Sequence, residues 1–309
     1  MKQLLDKEIV FIGGKGGVGK STSAAAFALQ AANSGKKTLL VSTDPAHNTG
    51  DIFHKKLSGT ISTVSNNLDA VEIDEERETK AYIKQVKSNL KGNIKAHMLE
   101  EVHRQIDLAA KTPGAAEAAL FDRMTSLILE ERSSYDLLVF DTAPTGHTVR
   151  LLTLPELMGA WIDGMLERRQ KRNENYTQLL NDGEPVEDPI FEVLQERRTR
   201  FRKVRELLMD DSRTGFAFVL NPERLPILET AKAIELLSAH QLTVQTLIIN
   251  KVLPHDADGS FFQKRRLQEK EYIEKIKKEF SNQEKVWVPF FSEDISDIEK
   301  LKQFSIYLL

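Results

Sequence analysis

Residues 14–21 read Gly14-Lys15-Gly16-Gly17-Val18-Gly19-Lys20-Ser21. An apolar run, Ile9-Val10-Phe11-Ile12, leads into this stretch, and an Ala-rich segment from Ser21 to Ala32 leads out. Strand, glycine loop and helix start is the context that a phosphate-binding loop needs. Four bare positions let backbone N–H groups turn inward onto phosphate oxygens. The helix beginning near Lys20 adds the positive end of its dipole. Lys20 is placed to reach β- and γ-phosphates, and the Ser21 hydroxyl is placed to bind Mg2+. A glycine-rich turn without a ligand is the bland alternative, which the full G-x-x-x-x-G-K-S spacing disfavours.

Six further apolar runs read as strands: Thr38–Ser42, Asp69–Ile73, Asp136–Asp141, Gly215–Leu220, Val244–Asn250 and Lys285–Val288. Most are continuous rather than alternating, as expected for strands covered on both faces of a parallel sheet. With helical segments between them, the pattern predicts an α/β fold. It is a doubly wound, mostly parallel sheet with ligands at the carboxyl ends of its strands. The run 38–42 leads into Thr43-Asp44-Pro45-Ala46-His47-Asn48. Asp44 reads either as a carboxylate that orients water near the nucleotide or as the cap of a turn before Pro45. The run 137–141 ends in Asp141 and continues Thr142-Ala143-Pro144-Thr145-Gly146-His147. An acidic residue closing a strand beside the phosphate loop is the position that holds Mg2+ directly or through water. Gly146 supplies flexibility to a loop that could sense a γ-phosphate.

Residues 75–135 and 151–212 read as helices within a single domain over 1–309. Glu75 to Ala96 is charged and helical, Lys111-Thr112-Pro113-Gly114 interrupts the pattern, and Ala115–Glu131 resumes it. Trp161, Ile162, Met165 and Leu166 form one apolar patch. Asn181 to Pro185 is a loop, and Asp188-Pro189 starts a helix whose apolar stripe includes Leu194, Phe201, Val204 and Leu208. Its other face carries Arg198, Arg200, Arg202, Lys203 and Arg205. That face fits a membrane surface or a partner, or more plainly a solvated side of a packed helix.

The chain has 309 residues, 40% hydrophobic and 29% charged, with a net charge of −3, so a general affinity for nucleic acid is not expected. No apolar run reaches the roughly 20 residues of a membrane span. Cysteine is absent, which rules out disulfides, thiolate zinc sites, iron–sulfur clusters and cysteine nucleophiles within this chain. The seven histidines form no helical zinc pair. A cytoplasmic location is the expectation, peripheral at the membrane where a membrane partner is engaged.

Lys15, directly after the first glycine, makes the loop resemble the deviant phosphate loop of dimeric ATPases. These include nitrogenase iron proteins, partitioning and division-site ATPases, and arsenical-pump ATPases. TDPAHNTGDIF at 43–53 and DTAPTGHTVRLLTLPE at 141–156 are similar to the first and second switches of one branch. That branch holds the arsenical-pump-driving ATPases and the targeting ATPases for tail-anchored membrane proteins. The resemblance runs through PGAAEAALFDRM at 113–124 to the C-terminal VPFFSEDI, and it implies that the helices over 75–135 and 151–212 form a helical subdomain inserted in the sheet domain.

The resemblance implies an Mg2+-dependent ATP hydrolase working as a homodimer that opens and closes with nucleotide, coupled to a membrane-embedded pump subunit or a membrane-protein client. A nucleotide-dependent scaffold or chaperone with little turnover is the alternative. It implies nucleotide contacts from Gly14, Lys15, Gly16, Gly17, Val18, Gly19, Lys20, Ser21 and Thr22, with Lys15 reaching the partner's nucleotide. Asp44 would polarise the hydrolytic water, in a first switch with Pro45, His47, Asn48 and Asp51. Asp141 would hold Mg2+ through water beside Ser21, in a second switch with Thr142, Pro144, Gly146 and His147. Asn250 would read the adenine, and Pro289 and Phe290 would close over it. The zinc-binding Cys-x-x-Cys of some targeting ATPases and the arsenite-sensing thiolates of the pump ATPases have no counterpart here.

Overall fold

The computed structural model describes residues 1–309 except 45–47, 58, 91–99, 101–102, 105, 109–112, 144, 181–187, 257 and 309. Its strands are β1 (Ile9–Gly14), β2 (Thr38–Ser42), β3 (Ser62–Ser65), β4 (Leu68–Glu72), β5 (Leu137–Asp141), β6 (Thr214–Leu220), β7 (Thr246–Val252) and β8 (Glu284–Pro289). They form one sheet in the order β3-β4-β2-β5-β1-β6-β7-β8, parallel throughout except for β3. The doubly wound α/β expectation is therefore met. One strand escapes the sequence pattern: β3 is a four-residue edge strand, antiparallel to β4 and irregular in register between Thr63 and Ser65. Its Ser-Thr-Val-Ser lacks an apolar run because an edge strand need not be covered on both faces.

Every residue of β1, β2, β5 and β6 is buried. On one face the register sets Phe11 of β1 between Phe140 of β5 and Phe216 of β6. The Phe11 ring stacks on them at centroid distances of 4.7 and 5.4 Å. On the other face the first long helix, Lys20–Asn33, is buried along most of its length. Its six alanines, three before and three after Phe27, let the helix axis come close to the sheet. The start of this helix is thereby fixed at the carboxyl end of the central strand.

The chain divides into two compact units. The first comprises Met1–Asp74, Glu131–Arg150 and Leu208–Leu309 and contains the whole sheet. The second comprises Glu75–Glu130 and Leu151–Leu207. In it helices Glu75–Leu90 and Pro113–Glu130 pack together, and Phe121 meets Phe201 at 5.0 Å. The second of these helices starts at Pro113, so the Pro-Gly pair opens the helix instead of interrupting it. The stretch 91–96, residues Lys111-Thr112 and the loop 181–185 lie outside the described residues.

Helix Thr145–Leu180 runs on through Pro155. The proposed patch on it divides: Ile162 and Leu166 are buried, whereas Trp161 is exposed. In helix Pro189–Met209, Asp188 accepts a bond from the Phe191 N–H and two from Arg169. Leu194, Phe201, Val204 and Leu208 are buried. Four of the five basic residues of that face meet carboxylates: Arg198 pairs with Asp163, Arg200 with Glu130, Arg202 with Glu206 and Arg205 with Glu156. That supports the plainer reading of a solvated, ion-paired side. No described helix is long and apolar enough to cross a membrane.

The Phe11 ring is the centre of the aromatic face, so Phe11→Ala leaves a cavity between two strands. It is expected to lower stability by about 3–5 kcal/mol, measured by equilibrium denaturation.

Candidate nucleotide site

The loop after β1 is shaped by positions that exclude a Cβ. Gly14, Gly17 and Gly19 have φ of +148°, +81° and +96°. A Cβ on Gly14 would stand 2.4 Å from the Val219 carbonyl oxygen, and one on Gly19 would stand 2.3 Å from Asn250 Nδ2. A side chain at either position would therefore both strain the backbone and collide with a neighbouring strand end. The helix follows directly at Lys20, and Ser23 N–H and Oγ both return to the Gly19 carbonyl.

The loop is also held from β7, two strands away in the sheet. Asn250, in β7, donates from Nδ2 to the Val18 carbonyl at 2.8 Å and accepts at Oδ1 from the Lys251 N–H at 2.9 Å. Lys251 has a positive φ of 58°, at a register irregularity of β7, and its ammonium donates to the Gly17 carbonyl at 3.3 Å. Among the described residues these bonds leave Asn250 one N–H and one oxygen lone pair. Lys251 carries no sequence signal for this role, since the strained φ that aims it arises at the strand's irregular end.

Lys20 is 5% exposed and lies 3.6 Å from Asp44. Asp141 is fully buried, and Ser42 Oγ donates to its Oδ2 at 3.4 Å. Its main-chain oxygen accepts from Thr43 N–H and Oγ1, which ties the end of β5 to the residue before Asp44. Its Oδ1 has no hydrogen-bond partner among the described residues. Burial pushes the Asp141 carboxyl up to about 7, and the Asp44 charge adds to this. A hydrogen bond from Ser21, the Lys20 ammonium and a bond from Ser42 pull the other way. A buried carboxylate with an empty oxygen beside a serine hydroxyl suits a cation that arrives with its own waters and phosphate oxygens. Mg2+ commonly binds in this way, through one or two protein groups. Among the described residues no group of three His, Cys, Asp or Glu forms a metal cage, and such an ion does not need one.

The remaining sequence candidates are placed as follows. Thr142 Oγ1 donates to the Ile12 carbonyl and accepts from Thr148 Oγ1, fastening β5 to β1. Gly146 is exposed in the first turn of helix Thr145–Leu180, so it is helical and not part of an open loop. Asp51 is exposed on helix Asn48–Phe53. Lys15 pairs with Glu229 of its own chain at 2.9 Å. Pro45, His47 and Pro144, together with the side chains of Asn48 and His147, lie outside the described residues. A cleft of about 1340 Å3 begins at Gly19 and Thr22 and passes Asn250, Lys251, Pro289 and Phe290. Its far wall is Phe291, which stacks on Phe304 and meets Tyr307 edge-on.

A sequence profile of anion-transporting ATPases matches residues 7–309. The chain belongs to this family. It is 36% identical over 300 residues to a candidate arsenical pump-driving ATPase 2 of Aquifex aeolicus, covering 97% of this chain and 98% of that one. It is 31% identical to an ASNA1 ATPase homologue of Paramecium tetraurelia, covering 97% and 93%. It is 30% identical to the get3 ATPase of Pyrenophora tritici-repentis, covering 100% and 94%. The glycine loop, the buried Asp141 and the cleft thus lie in a chain similar to ATPases along almost its whole length.

The raised Asp141 pKa has a consequence for stability. The native carboxyl holds its proton up to about 7, whereas an unfolded aspartate loses it near 4. The native state therefore binds more protons between these values, and stability contributed by this group is lost as pH rises through 7. Asp141→Asn should raise the melting temperature of the nucleotide-free protein at pH 8, with a gain that shrinks towards pH 5 in a pH series of thermal melts.

Proposed function

We propose that this chain is an Mg2+-dependent ATP hydrolase of the arsenical-pump and membrane-protein-targeting branch. The observation that carries the reading is the buried, half-satisfied Asp141 beside Ser21 at the head of a glycine loop that also presents Lys20. In this reading the backbone from Gly14 to Thr22 wraps the phosphates and Lys20 neutralises the β- and γ-oxygens. Ser21 would hold Mg2+ directly, and Asp141 and Asp44 would hold it through water. The ion would supply charge neutralisation on the phosphates.

Asp44 has two states in this reading. Without phosphate it pairs with Lys20. Phosphate oxygens compete for that ammonium and release the carboxylate to orient water and accept its proton. Thr142, Pro144, Gly146 and His147 would form the second switch, and Pro45, His47, Asn48 and Asp51 would complete the first.

The base is read by Asn250. Its remaining N–H and lone pair match the N7 acceptor and 6-amino donor of adenine, the pair that an asparagine amide can bind together. Guanine presents two acceptors on that edge, so the amide oxygen would face O6 and repel it. Pro289 and Phe290 would cover the ring.

A homodimer supplies the second site, with Lys15 leaving Glu229 to reach the partner's phosphates in the role of an arginine finger. The relative from Halobacterium salinarum supports this reading. It is 33% identical over 307 residues, yet the match covers only 43% of its length, which leaves room for a second unit of similar size. The inserted helical region over 75–135 and 151–212 would transmit nucleotide state to a membrane-embedded pump subunit or a membrane-protein client. The name of the Aquifex relative, an arsenical pump-driving ATPase, supports the pump as partner. Arsenite sensing by thiolates has no residues to act through, because cysteine is absent.

Two substitutions test the reading. Asp44→Asn should reduce phosphate release from Mg-ATP by about 10²–10⁴-fold, with ATP affinity unchanged or tighter. A parent protein that binds ATP without releasing phosphate would replace the hydrolase with a nucleotide-held scaffold. Asn250→Asp should weaken ATP by about 10–100-fold in competition binding without creating affinity for GTP, because it trades the donor to N7 for a charge.

A further inference from the structure

Glu72 ends β4, and its side chain is 4% exposed. Its Oε1 accepts the backbone N–H of Gly50 at 2.8 Å, in the first turn of helix Asn48–Phe53. Its own carbonyl accepts from the Gly59 N–H at 3.0 Å. In the sheet Glu72 is the register partner of Ser42, and the next residue, Ile73, donates its N–H to the Ser42 carbonyl at 2.9 Å. The main chain at the end of β4 is thus tied to the root of the segment carrying Asp44, while the Glu72 side chain holds that segment's far end at Gly50. Gly50 is fitted to this contact, since a Cβ there would stand 2.6 Å from the Lys55 carbonyl and 3.6 Å from Glu72 Oε1.

The short helix is already seated by Ile52 and Phe53 in the core. Burial of Ile52 and Phe53 sets which face of the helix meets the core, but non-directional apolar contact leaves small adjustments along and about the axis open. A hydrogen bond is directional and narrows those adjustments at Gly50. A loop fixed at both ends also samples far fewer conformations than one fixed at one end.

We propose that Glu72 is a positioning residue for ATP hydrolysis: with Ser42 tied to Ile73 on one side of Asp44 and Gly50 tied to Glu72 on the other, both anchors flanking Asp44 are fixed to β4, so that Asp44 is aligned when phosphate releases it from Lys20. This rests on the reading of Asp44 as the residue that orients water. Glu72 acts through the backbone that flanks Asp44, and its loss acts on the fraction of bound ATP that meets an aligned Asp44. The affinity set by the glycine loop is untouched.

The test compares Glu72→Ala, Glu72→Gln and Gly50→Ala with the parent, measuring kcat, KM, the Kd for Mg-ATP, binding stoichiometry and melting temperature. Glu72→Ala and Gly50→Ala are expected to lower kcat at least tenfold, with Kd within about twofold and one nucleotide bound per chain. Glu72→Gln, which keeps an acceptor oxygen for Gly50, is expected to retain kcat within about threefold. A folded Glu72→Ala protein with parental kcat overturns the proposal, as does a parallel loss of affinity. If Glu72→Ala does not fold, Gly50→Ala decides by the same criteria. If neither folds, Glu72 is a structural brace and the proposal falls. A parent without turnover instead removes the hydrolase reading on which the proposal stands.

Discussion

The nucleotide loop exists in its present shape because two strand ends approach it more closely than any side chain would permit. The Val219 carbonyl stands where a Cβ of Gly14 would be, and the Asn250 amide stands where a Cβ of Gly19 would be. The glycines are thus demanded twice, by left-handed backbone angles and by neighbours. The neighbours in turn make the loop rigid. Val18 and Gly17 carbonyls, which would otherwise be free to turn, are bonded by Asn250 and Lys251. With those carbonyls held outward, the intervening N–H groups are left for an anion.

Around this loop the protein tolerates charges that a purely structural core would avoid. Among the described residues Asp141 is buried with one oxygen unmatched, and Lys20 is nearly buried 3.6 Å from Asp44. A buried ionised group without full compensation is destabilising, and the molecule responds by raising the Asp141 pKa towards neutrality. Such arrangements persist where a ligand completes them. The sheet can bear the penalty because its central strands are covered on both faces and its aromatic row at Phe11, Phe140 and Phe216 is continuous.

Elsewhere charges are used differently. On helix Pro189–Met209 most of the arginines of the exposed face find carboxylates. Such surface pairs add little stability, on the order of 0–1 kcal/mol each, but they leave that face electrostatically quiet. A row of basic residues in the sequence is therefore a poor guide to a binding surface when acidic partners arrive from the same helix and from its neighbours.

The sequence by itself determined the layered α/β fold, seven of the eight strands, the strand–loop–helix geometry at Gly14 to Lys20 and the absence of any thiolate chemistry. Each of these is encoded locally: burial on both faces in continuous apolar runs, positive φ in glycine, helix start in the residues that follow. The tertiary structure alone decided that Asn250 and Lys251 reach back more than two hundred residues to hold the loop. It alone decided that Lys15 rests on Glu229, that Glu72 grips Gly50 and that Ser62–Ser65 adds an edge strand. These contacts depend on which strands become neighbours and on where an irregular strand end aims a side chain. No spacing along the chain records either one.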